Sequence, residues 1–111
     1  MGISDVNARL SFLFFGEDSK RVRVKYGPNG LIYIFFDPHG MNVTVFRRYL
    51  NNLIAAIRIP FLLVITHGFH HGTALRSVVW DYSGIRLTSR QLAKGNPGCT
   101  YMTFSVHPAL A

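Results

Sequence analysis

The sequence predicts an α+β fold: a two-layer α/β sandwich, with a mixed sheet in the order β-α-β-α-β-β and its helices on one face, preceded by an N-terminal β-hairpin. Three observations carry this expectation. Leu31–Phe36 and Phe61–Ile65 are short, wholly apolar runs rich in β-branched and aromatic residues, which suits buried strands better than helices. Between them Phe46, Tyr49, Leu50, Leu53, Ile54 and Ile57 recur at helical spacing, with Arg47, Arg48, Asn51 and Asn52 on the opposite side. A strand–helix–strand crossover then makes the two strands parallel, provided that they share a sheet.

The remaining elements follow in chain order. Residues 1–9 are polar and read as loose. The apolar run Leu10–Phe15 closes at the turn-like Gly16-Glu17-Asp18-Ser19, and Arg21-Val22-Arg23-Val24-Lys25 alternates with a period of two. These two runs are the expected hairpin, and the Phe-rich one is expected to be buried. Gly27-Pro28-Asn29-Gly30 is a turn. Asn42 is placed to cap the first helix, and Pro60 ends it. Thr73 is the second N-cap candidate, Leu75, Val78, Val79 and Tyr82 form the apolar stripe of a shorter helix, and Gly84 is its expected C-terminal cap. Ile85–Ala93 reads as a strand with Arg86 and Arg90 projecting. Lys94-Gly95-Asn96-Pro97-Gly98 reads as a turn, and Cys99–Val106 as the last strand. The chain thus divides into an extension over residues 1–30, a domain over 31–106 and a tail over 107–111.

Composition narrows the class of protein. Of the 111 residues 49% are apolar and 15% charged, a balance that supports one folded domain and argues against disorder. The charge is uneven. Residues 1–37 carry five basic and four acidic groups; residues 38–111 carry seven basic groups and only Asp81 on the acidic side. A net charge of +7 favours a polyanionic partner. The longest apolar run, interrupted by Pro60, is too short to span a membrane, and no signal peptide is visible, so a cytoplasmic location is expected. The lone Cys99 excludes an intrachain disulfide and a thiolate zinc site.

The chemistry concentrates in two loops. Asp37–Gly40 and His67–Gly72 each follow a strand and precede a helix, so they are expected at one edge of the sheet, where ligands of α/β sheets tend to bind. Two helix N-termini there offer free N–H groups and partial positive charge to a phosphate. Four of the five histidines, His39, His67, His70 and His71, lie in these loops. Gly40, Gly68 and Gly72 permit sharp turns or close approach of a ligand, although glycine there also serves as a plain turn residue. Thr73 and Arg76 open the second helix, and Arg86, Arg90 and Lys94 are expected to line one face. Asp37, His39, His67 and His70 could hold a metal by residue type, but their spacing matches no recognised site, and no metal is expected. Trp80, off the main stripe, is expected at the core edge rather than beneath a nucleobase.

Phe36-Asp37-Pro38-His39-Gly40-Met41, the amphipathic helix after it, and Val64-Ile65-Thr66-His67-Gly68 together resemble the Smr (small MutS-related) domain family, in its small stand-alone form. Its members carry Leu-Asp-x-His-Gly after the first strand and His-Gly-x-Gly after the second. Asp37, His39 and Gly40 match the first motif, and His67 and Gly68 match the second. Pro38 replaces the usual apolar residue, and His70 stands where the second motif has its last glycine. The resemblance runs from about Leu31 to Phe104. It implies a fold similar to the C-terminal domain of a translation initiation factor, nucleic-acid binding and, in several members, nicking endonuclease activity on RNA or DNA; some members act at ribosomes.

The expected function is therefore nucleic-acid binding with phosphodiester cleavage. His39 and His67 would act as the acid–base pair and Asp37 would orient one imidazole. Gly40, Gly68, His70, His71, Gly72, Thr73 and the basic residues would hold the polymer. With RNA the internal 2′-OH can attack and no metal is required. DNA would require an activated water and hence a divalent cation such as magnesium near Asp37. The alternatives are a non-catalytic RNA- or ribosome-binding module and, from another class, an interaction domain on anionic membrane surfaces.

Overall fold

The protein is described here by a computed structural model covering residues 2–68 and 73–110. Its elements are α1 (Ile3–Leu13), β1 (Val22–Tyr26), β2 (Ile32–Phe36), α2 (Val43–Ala56), β3 (Phe61–Thr66), α3 (Ala74–Asp81), β4 (Leu87–Ala93) and β5 (Asn96–Phe104), with short 3-10 turns at Gly16–Arg21, Pro28–Gly30 and Pro108–Leu110. The mixed α/β class and the β-α-β-α-β-β order from β2 onward are as the sequence predicts. The five strands form one sheet in the order β1-β2-β3-β5-β4. Only β2 and β3 run parallel, with Phe36 opposite Ile65, and the other pairs are antiparallel.

Strand alternation separates the two faces of the sheet. Ile32, Ile34, Phe36, Phe61, Leu63, Ile65, Met102 and Phe104 point into the core, where they meet Phe46, Leu50, Leu53, Ile54 and Ile57 of α2 and its C-terminal end, and Val78 and Val79 of α3. Phe14 meets Phe36 edge-on at 5.1 Å and stacks on Tyr49 at 5.0 Å, so the N-terminal segment shares this same core. All three helices therefore lie on one face.

The first 30 residues depart from expectation. Leu10–Phe15 does not pair with β1; residues 3–13 form α1 instead. The hairpin that does form joins β1 to β2, across the Pro28–Gly30 turn in which Asn29 and Gly30 take positive φ. Periodicity explains the helix: Val6, Leu10 and, just past its end, Phe14 fall four residues apart and are buried, whereas Phe12 and Phe15 are 82% and 72% exposed. The Asp5 carboxylate accepts the Gly2 N–H at 3.0 Å and so satisfies a backbone donor at the helix start. The apolar run is thus only half buried.

Smaller departures follow the ladder. The last strand begins at Asn96, which shortens the expected turn to Lys94-Gly95. Helix α3 ends at Tyr82 in an extended conformation, not at Gly84. No helix among the described residues is long and apolar enough to cross a membrane.

Candidate functional site

The parallel register of β2 and β3 brings the two loops to one edge, as expected. In the first, Asp37 Oδ1 accepts the His39 backbone N–H at 3.0 Å, which closes an Asx turn. Gly40 takes φ +82, a backbone state that suits glycine. Asn42 Oδ1 then accepts the Val45 N–H at 2.9 Å and caps α2. Asp37 and His39 are both exposed, whereas Pro38 is buried. The Asp37 carboxylate therefore shapes the loop backbone, and the expected orientation of an imidazole by Asp37 is not the contact that it makes.

Arg21 holds this loop from β1's side. Its guanidinium donates to the carbonyls of Asp37 and His39, while its Nε donates to Asp18 Oδ1 at 2.8 Å. Tyr49 of α2 donates its hydroxyl to Asp18 Oδ2 at 2.8 Å. The hydrogen bonds from Tyr49 and Arg21 hold the Asp18 carboxyl below its ordinary pKa. The period-two alternation places Arg21 within the strand, but it ends the turn before β1, and its role depends on a contact with a loop 16 residues later.

His67 is placed differently. It is 7% exposed, and both ring nitrogens are engaged. Nδ1 lies 2.8 Å from the Gly68 carbonyl oxygen, and Nε2 lies 2.7 Å from Thr100 Oγ1. Because a carbonyl only accepts, Nδ1 carries the proton and donates it. Trp80 Nε1 donates to the same Thr100 hydroxyl at 3.1 Å, so that hydroxyl accepts from Trp80 and donates its own proton to Nε2. One neutral tautomer satisfies the whole Trp80–Thr100–His67 chain. Burial lowers the His67 pKa, the hydrogen bond to Gly68 opposes that shift, and the nearby charge of Arg76 adds to it. Gly68, at φ +86, donates its N–H to the Gly98 carbonyl at 3.0 Å, which docks the start of β5 against this loop. Thr100 and Trp80 carry no local sequence signal for this role, because they meet His67 only through sheet pairing and α3 packing.

The basic residues divide. Arg76 stands near His67 in the first turn of α3, half-buried, and Lys94 is exposed at the β4–β5 turn. Arg86 and Arg90 do share a face, but it is the helix-covered one, so they do not project toward a ligand. Buried Arg86 donates to the carbonyls of Ile54 at 2.6 Å, Ile57 at 2.7 Å and Ser105 at 3.0 Å. Arg90 donates to those of Val79 at 3.2 Å and Tyr82, and lies over the Trp80 ring at 5.3 Å. A helix C-terminus leaves carbonyls without intrahelical partners and carries partial negative charge, so each arginine closes one helix: Arg86 closes α2 and Arg90 closes α3. Alternation in the sequence detects a shared face but not which face is covered.

Thr73 starts α3 without a side-chain cap. His70, His71 and Gly72 lie outside the described residues. No cluster of three or more His, Cys, Asp or Glu suited to a metal occurs among the described residues. Comparison of the chain with protein-family models, with curated proteins and with solved structures finds no match.

Proposed function

We propose that this chain is an Smr-like nucleic-acid-binding domain, cytoplasmic in location, that takes phosphate at the edge formed by the two strand-to-helix loops. The supporting observation is the parallel pairing of β2 and β3, which sends both loops and the starts of α2 and α3 to one side of a chain with a net charge of +7. The exposed Asp37, His39 and Gly40, the half-buried Arg76 and the residues at the start of β5 surround that edge. RNA is the preferred polymer, and a ribosomal partner is one form that it could take.

Phosphodiester cleavage is a second reading, favoured by the solvent-facing imidazole of His39. In RNA it would take the proton of the attacking 2′-OH or deliver one to the leaving 5′ oxygen. His67 fits a positioning role better than a proton-transfer role, because both its ring nitrogens are already used. The two readings separate in one experiment, in which a labelled 12-nucleotide single-stranded RNA is titrated with protein at several salt concentrations and the RNA is then run on a denaturing gel. Binding should weaken with salt, and Arg76→Gln should reduce the log–log slope by about 0.7, the value for one phosphate contact on a single strand. Intact RNA with a steep slope selects binding alone; cleavage lost in His39→Ala selects the second reading. A slope near zero, or one unchanged in Arg76→Gln, sinks the proposed phosphate edge.

A further inference from the structure

The sheet face opposite the helices carries an ordered set of side chains that the loop edge does not use. The ladder aligns Arg23, Phe35, Val64, Tyr101 and Gln91 in one row across all five strands. A second row, two residues away along each strand, runs Lys25, Tyr33, Leu62, Thr103 and Ser89. Each row begins with an exposed cation, passes through an aromatic ring and an aliphatic side chain, and ends in an exposed amide or hydroxyl, Gln91 in one and Ser89 in the other. Tyr33, Phe35 and Tyr101 are only half-buried, and among the described residues the helices pack on the other face.

Arg23 and Lys25 lie 5.1 and 5.0 Å from the centroid of the Phe35 ring. Neither has an ion-pair partner among the described residues, where the salt bridges are Lys20–Glu17 and Arg21–Asp18. The chain's five acidic residues, Asp5, Glu17, Asp18, Asp37 and Asp81, all lie outside both rows. The face therefore combines π surfaces, uncompensated positive charge and hydrogen-bonding groups. A second copy of the chain would bring no carboxylate from its own matching face to neutralise the cations. An extended single strand of nucleic acid supplies both complements, bases for the rings and phosphates for Arg23 and Lys25. A duplex hides its base faces within the stack, so the platform discriminates against it.

We infer that this open face is a base-stacking platform for single-stranded RNA, with Phe35, Tyr33 and Tyr101 taking bases and Arg23 and Lys25 taking phosphates. The inference deepens the nucleic-acid reading above and takes only the class of polymer from it, since the two surfaces lie on different parts of the molecule. Gly27 belongs to the platform as well: a Cβ there would fall 2.1 Å from the Tyr33 ring, so only glycine leaves that ring its place.

The test uses the full chain and three fluorescein-labelled 12-mers: a mixed-sequence single-stranded RNA, its duplex, and an abasic strand of equal charge. Phe35→Leu and Tyr101→Leu retain apolar volume but remove the π face, and thermal melting verifies that both variants fold. Each should weaken single-strand binding about tenfold, in line with the loss of one stacked base. Duplex and abasic strand should bind the wild type more weakly and be insensitive to these substitutions. Arg23→Gln should lower the salt slope on the single strand by about 0.7. Single-strand affinity unchanged in both folded leucine variants, while Arg76→Gln still weakens it, overturns the platform and leaves the loop edge standing. The reverse pattern removes the loop edge and keeps the platform. A polyglutamate peptide that binds as tightly as the RNA, with the same dependence on Phe35, also overturns the inference, because the face would then select acidic peptide.

Discussion

The units β2–α2 and β3–α3 are built alike and stabilised differently. Each sends a parallel strand through a loop with Gly after His into a helix, and each helix is closed at its far end by an arginine, Arg86 just before β4 or Arg90 within it. In the first unit the histidine is exposed, Asn42 caps the helix, and a buried Arg86 takes carbonyls from α2's end and from Ser105. In the second the histidine is buried in a hydrogen-bond chain, and Arg90 is only half-buried; among the described residues the cap position makes no side-chain bond and the Arg90 Nε has no partner. The difference shows that topology places a residue at an edge, whereas packing decides whether its polar atoms face solvent or the interior.

The largest expected effect comes from removing the buried clamp. Arg86→Met strands carbonyls of Ile54 and Ile57 in an apolar setting and should lower unfolding free energy by about 2–4 kcal/mol in urea titrations. Arg90→Met, at the corresponding place in the second unit, should cost about 1 kcal/mol, because its setting is wetter. Equal losses would mean that the two helix ends are not distinguished by burial. Burial also pulls the Arg86 pKa below its ordinary value, yet a guanidinium remains cationic, so the clamp itself should not titrate in the physiological range.

The histidines separate the units by pH. His67 has a folded-state pKa below the ordinary 6.5, so the unfolded chain binds more protons as pH falls. The stability that this residue contributes is intact above pH 6.5 and is lost as pH drops from there toward the lowered folded-state value. Wild-type stability should thus decline between pH 7.5 and 5.5, about the ordinary histidine pKa, more steeply than that of His67→Gln. Parallel profiles for the two proteins would contradict the buried neutral imidazole.

The smallest effect is at the caps. Asn42→Ala should cost about 1 kcal/mol through the lost bond to the Val45 N–H. Thr73→Ala, with no such bond to lose, should stay within about 0.5 kcal/mol. Thermal melts of the two variants compare the helix starts directly, and a larger loss at Thr73 would reverse the contrast.

Much of this arrangement was legible in the residues. Apolar runs of strand length and the i, i+3, i+4 stripe of α2 follow from local periodicity, so β2, β3, α2 and α3 were recoverable, as was the parallel pairing that brings the loops together. The cap at Asn42 was equally local. The N-terminal departure has a physical source: Leu10–Phe15 is apolar except for Ser11, and only its register with Val6 reveals the buried face of a helix. Arg21, Arg86, Arg90, Thr100 and Trp80 act through partners distant in sequence, which leave no periodic trace.

By itself the sequence determined the element order from β2 onward, the convergence of the two loops and the positive charge, because each depends on neighbours along the chain or on a simple sum. Tertiary structure alone decided that Arg86 and Arg90 turn inward, that His67 is neutral and enclosed while His39 is open, and that Arg23, Phe35 and Tyr101 align on one bare face. These outcomes depend on which surfaces the three helices cover, and a helix that covers one face of a sheet leaves the other to solvent.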